Sequence, residues 1–125
     1  METISPYKQE NVVLKLSFEF ALEIITYCES LEKMKKYNMA NQLFRSGTSI
    51  HANVKEAQNS ESSMDFIHKL KIAAKEAEET EGWLLLCLHS KNYPECNDLI
   101  NKLTSILKLL NKIIGTIKRK NKLIS

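Results

Sequence analysis

Over residues 99–117 the apolar side chains recur every three or four positions: Leu99, Leu103, Ile106, Leu107, Leu110, Ile113, Ile114 and Ile117. At about 100° per residue they fall on one side of an α-helix. Lys108, Lys112, Arg119 and Lys122 fall on the opposite side. A strand cannot use this pattern, because its faces alternate residue by residue. The pattern calls for a long helix that buries one side against other helices. Only two prolines and three glycines in 125 residues leave little material for turns, so the remainder should also be long helices.

The same period gives three more helices. The first is expected over about 7–35, with Ser5 as cap and Pro6 in the first turn. It carries two apolar stripes: Leu14, Phe18, Ala21, Leu22, Ile25 and Cys28, then Val13, Leu16, Phe20, Ile24, Tyr27 and Leu31. The second is expected over about 39–58, capped by Asn38, with Met39, Leu43, Ile50, Val54 and Ala57 facing the core. The third, over about 63–90, starts at the capping-box pattern Ser62-Ser63-Met64-Asp65. Phe66, Ile67, Leu70, Ala73, Ala74, Ala77, Leu84, Leu85 and Leu88 share its inner face, and Glu81 sits among them. The fourth, over about 94–120, opens at Pro94 with Glu95 and Asp98 in its first turn. Short connections make neighbours antiparallel. The expectation is all-α: one domain across 1–125, an antiparallel up-down-up-down four-helix bundle.

One stripe suffices for a bundle helix, so two stripes on the first helix imply self-association. Phe20, Ile24, Tyr27, Phe44, Ile72, Trp83 and Leu86 are the candidate oligomer contacts. Small and polar residues interrupt the second helix at Ser46, Gly47, Thr48, Ser49 and Asn53. Glycine costs about 1 kcal/mol against alanine there, so close helix approach is the expected reason for Gly47. Arg45 near the core edge needs an anion, and Glu81 needs a cation. Pairing Arg45 with Glu81, in a network with Glu56, is the economical solution; the alternative is that each reaches solvent separately.

Charge is unevenly spread. The formal net charge is +3, yet no acid follows Asp98, while Lys102, Lys108, Lys112, Lys118, Arg119, Lys120 and Lys122 do. Lys108, Lys112, Lys118, Arg119, Lys120 and Lys122 are therefore the candidate nucleic-acid contacts, a solvated helix end being the alternative. Trp83, Phe44 and Tyr27 are placed as packing or subunit contacts rather than base-stacking platforms.

Catalytic chemistry finds no support. Asp65 and His68 have helical spacing, but a di-iron site needs glutamates and a second copy. His51, His68 and His89 show no zinc spacing with Cys28, Cys87 and Cys96. His51 is placed outward beside Phe44 and Lys55. Ser46 and Ser49 have no base or orienting acid in the pattern. No catalytic residue, metal or cofactor is expected. No apolar run reaches the roughly 18 residues of a membrane span. METISPYKQE lacks a signal pattern, and the widely spaced cysteines read as reduced thiols, so a cytoplasmic location without membrane contact is expected.

RSGTSIHANVKEA and SSMDFIHKLKIAAKEAEETEGWL, with LSFEFALEIITYCESL before them, resemble a bacterial family of four-helix bundles. It is the family of 23S rRNA-intervening sequence proteins, which carries an old ribosomal-protein-like label. The resemblance spans about residues 10–115. It implies a homopentamer and a relation to the accessory variability determinant protein of diversity-generating retroelements, which works with nucleic acid and a reverse transcriptase. The sequence departs from the family pattern in two places. His51 stands where a small residue is usual, and Gly82 where a larger one is common. The charge is also lower than in the retroelement branch.

Overall fold

The computed structural model describes residues 11–124. They form α1 (Val12–Lys33), α2 (Tyr37–Ala57), α3 (Ser63–His89) and α4 (Asn97–Ile124), with no strand among the described residues. α1 packs on α2, α2 on α3, α3 on α4, and α4 closes back on α1. The diagonal pairs do not meet backbone to backbone, which is the antiparallel up-down-up-down bundle.

Local chemistry sets the helix ends. Asn11 caps α1, its side-chain oxygen accepting from the Leu14 N–H at 3.4 Å. α1 thus begins at Val12; Ser5, Pro6 and the expected start at residue 7 lie outside the described residues. α1 ends in a Schellman turn: Lys36 N–H bonds Leu31 C=O and Lys35 N–H bonds Glu32 C=O, both at 2.9 Å. Lys35 takes the left-handed conformation there, at φ 62°. This turn lets α2 start at Tyr37, with Lys36 and not Asn38 at the cap position. Ser62 caps α3 as expected, accepting from Asp65 N–H at 3.1 Å. α4 begins at Asn97, three residues after Pro94, where the Glu95 carboxylate takes the Asn97 N–H. It continues through Gly115 to Ile124, past the expected end at 120.

The core stripes of α2 and α4 lie where their period puts them: Leu43, Ile50, Val54, Leu103, Ile106 and Leu110 are buried. α1 uses the inner edges of both its stripes. Val13, Leu14, Phe20, Ala21, Ile24, Tyr27, Cys28 and Leu31 are all buried, so most of its surplus is consumed within the chain. Phe20, Ile24 and Tyr27, expected at a subunit contact, are core residues, at 1%, 0% and 7% exposure. On α3, Leu85 turns outward, and Thr80 takes a core position.

The small residues of α2 seat its two neighbours. A Cβ on Gly47 would stand 2.8 Å from Ile24 Cγ2 and 3.3 Å from Ile24 Cβ. On the other flank, buried Ser46 shares a 2.9 Å hydrogen bond with Thr80, which also donates to the Glu76 carbonyl at 2.7 Å. The hydroxyls satisfy each other where α2 and α3 approach.

Candidate nucleic-acid interface

The cap at Ser62 starts α3 antiparallel to α4, so the first turns of α3 lie beside the last turns of α4. Ser63 Oγ donates to Asn121 Oδ1 at 3.1 Å and ties the two helices in register. Lys118 and Lys122, one turn apart on α4, thereby face His68 and Lys71 of α3. With Met64, Ile67 and Asn121 they line a groove of about 510 Å³. Among the described residues no carboxylate lines it.

Lys71 of α3 and Lys118 of α4 both line this groove. The Lys71 ammonium, first as a hydrogen-bonding neighbour and then through its charge, lowers the Lys118 proton affinity. Among the described residues neither ammonium has a carboxylate within ion-pair distance. Nearby Lys69 differs, because Asp65 holds it at 3.3 Å.

The six cationic residues read from the sequence are all exposed, but they divide around α4. Lys118 and Lys122 border the groove. By the helical period Lys108, Lys112 and Arg119 form an outer ridge, where Arg119 Nη2 also donates to Thr116 Oγ1 at 3.3 Å. Lys120 turns the other way, beside Gln58, Ser60 and Ser62. Lys71 and His68 are not among these six cations. They lie on another helix, roughly fifty positions away, and only the antiparallel register reveals them.

The expected Arg45–Glu81–Glu56 network does not form. Arg45 pairs through Nη1 with Glu76 at 3.2 Å and through Nη2 with Glu79. Glu79 also accepts the Trp83 indole N–H at 3.2 Å. Glu81 lies two residues, about 200°, round α3 from Glu79 and so on the flank away from α2. Glu81 and Glu56 form no ion pair among the described residues, and Glu56 is exposed. The Arg45 side chain is 51% exposed, so the buried-charge argument does not hold.

His51 is not outward. It lies half-buried in the α1–α2 seam, with Nδ1 3.3 Å from Ser17 Oγ and its ring edge-on to Phe18 at 5.4 Å. Burial, and then the Lys55 charge, lower its proton affinity. Tyr27 is unavailable for stacking, because its hydroxyl donates to the Pro94 carbonyl at 2.8 Å. Phe44, Ile72 and Leu86 are exposed, while Trp83 is half-buried.

The three cysteines are free and buried, and burial raises the proton affinity of each. The Cys28 thiol is pushed up to about 11, with Glu32 and Cys87 adding to the effect. Such thiols make poor nucleophiles. Among the described residues no group of three or more His, Cys, Asp or Glu could hold a metal ion. No described helix is long and apolar enough to cross a membrane.

Comparison with known proteins agrees with the motifs. No curated protein shows significant similarity to the chain. A solved structure from Bacteroides thetaiotaomicron, of a protein of unknown function from the S23 ribosomal protein family, is 43% identical with a TM-score of 0.78. The alignment covers 82% of this chain and 97% of that one. The sequence pattern of the 23S rRNA-intervening sequence proteins matches residues 9–112, which stops short of Lys118, Arg119, Lys120 and Lys122. With most of its length inside that match, the chain belongs to the 23S rRNA-intervening sequence protein family.

Proposed function

We propose that the chain is a non-enzymatic, self-associating bundle protein that binds RNA or DNA as an adaptor through the basic end of α4. The observation that supports this reading is the run of exposed cations after residue 107 with no acid between them. Lysine and arginine attract phosphates whatever the base sequence, and such attraction falls steeply with salt. Repetition of the basic end around an oligomer multiplies a weak contact. The homopentamer rests on family resemblance, and the exposed Phe44, Ile72 and Leu86 offer apolar surface for self-association.

Gel-shift titration with RNA and DNA tests the reading. Weak binding with little sequence preference is expected at low salt. Changing Lys112, Arg119 and Lys122 together to Gln should abolish it and leave the melting temperature near that of the parent. Without any shift at low salt, the α4 end is a solvated helix terminus. The same apolar residues then support the second reading, a protein–protein scaffold with no nucleic-acid role.

A further inference from the structure

We propose that the α3–α4 groove seats a single-stranded nucleic acid, holding one backbone phosphate between Lys71 and Lys118 and the adjoining base on Met64 and Ile67. This rests on the nucleic-acid reading above and specifies its ligand.

Two ammonium groups on one groove, with no carboxylate among its described lining residues, repel each other. A phosphate between them converts that repulsion into two charge-assisted hydrogen bonds, one to each of two oxygens. His68 and Asn121 supply further polar groups around the same space. The groove is concave and about 510 Å³. That lies within the roughly 300–1,000 Å³ of small-ligand sites, large enough for a group bigger than a phosphate alone. Its floor is apolar. Met64 is 77% exposed at the rim, and a flexible thioether chain adapts to flat partners of differing shape. A duplex keeps its bases stacked inside and presents phosphates on a convex surface, so it can touch the lysines without filling the groove. A single strand can turn a base out beside its phosphate. Met64 and Ile67 offer no hydrogen-bond readout, so little base preference follows.

The test is fluorescence anisotropy on the intact protein, with one labelled oligonucleotide offered single-stranded and as its duplex at equal salt. The single strand should bind several-fold tighter. The double variant Lys71→Gln/Lys118→Gln should weaken single-strand binding about tenfold, equivalent to 1.4 kcal/mol, and erase most of the preference. Met64→Ser should weaken the single strand only. Lys112→Gln/Arg119→Gln on the outer ridge should weaken both forms alike. The substituted side chains are all exposed, and matching melting temperatures confirm folding. Equal binding of the two forms, or single-strand binding unaffected by the groove double variant, overturns the inference and leaves the broader reading standing. Failure to bind either form removes both.

Discussion

Gly47 and Gly82 both interrupt helices, yet their surroundings give them opposite roles. At Gly47 an added Cβ runs into the branch of Ile24, a stiff side chain with no exposed surface. At Gly82 it meets nothing within 4 Å. Gly47→Ala should therefore destabilise the fold by about 1–3 kcal/mol despite better helix propensity. Gly82→Ala should stabilise it by about 0.5–1 kcal/mol. Urea unfolding of the two variants measures both signs, and a stabilised Gly47→Ala would refute the close α1–α2 approach. The interruption of α2 by small residues was legible in the sequence as a packing device. Which neighbour it served was not, because that depends on Ile24 and Thr80 from other helices.

At the scale of elements, the two flanks of α2 respond to different perturbations. On the α3 flank, Arg45 bridges Glu76 and Glu79 at the surface. Arg45→Ala should cost roughly 1 kcal/mol or less, far below the 3–5 kcal/mol expected of a broken buried pair. In double-mutant cycles, Glu76→Gln should couple to Arg45→Ala, and Glu81→Gln should be additive with it. Coupling to Glu81 would contradict the observed pairing. On the α1 flank, the folded chain disfavours protonated His51, first through burial and then through Lys55. The unfolded chain takes up the proton at the ordinary value of 6.5. The His51 contribution is thus complete above that value and is lost as the pH falls below it. Melting temperature should drop between about pH 7.5 and about pH 5.5, and His51→Gln should lessen the drop. An unchanged pH dependence in His51→Gln would remove His51 as its source. Helix number, order and the stripes of α2 and α4 follow from period alone. The flank positions did not: Arg45 pairs with Glu76 and Glu79, five and two residues before Glu81, and His51 turned inward, because both depend on the rotation of one helix against another.

For the whole molecule, the apolar surplus of the sequence divides between core and surface. Phe20, Ile24 and Tyr27 are spent inside the bundle, which leaves Phe44, Ile72 and Leu86 as exposed apolar surface. The cations likewise divide, into a groove shared with α3 and an outer ridge on α4. That division was hidden in the sequence, where Lys118 to Lys122 form one continuous cluster and Lys71 belongs to another segment. The central claim is that this basic end meets phosphates. Salt titration of single-stranded RNA binding tests it most directly. If three to six cations per subunit engage phosphates, the logarithm of the affinity should fall against the logarithm of salt with a slope of about −2 to −4. The slope should become shallower when Lys71 and Lys118 are both changed to Gln. A slope near zero, or no binding at the lowest salt, would contradict it.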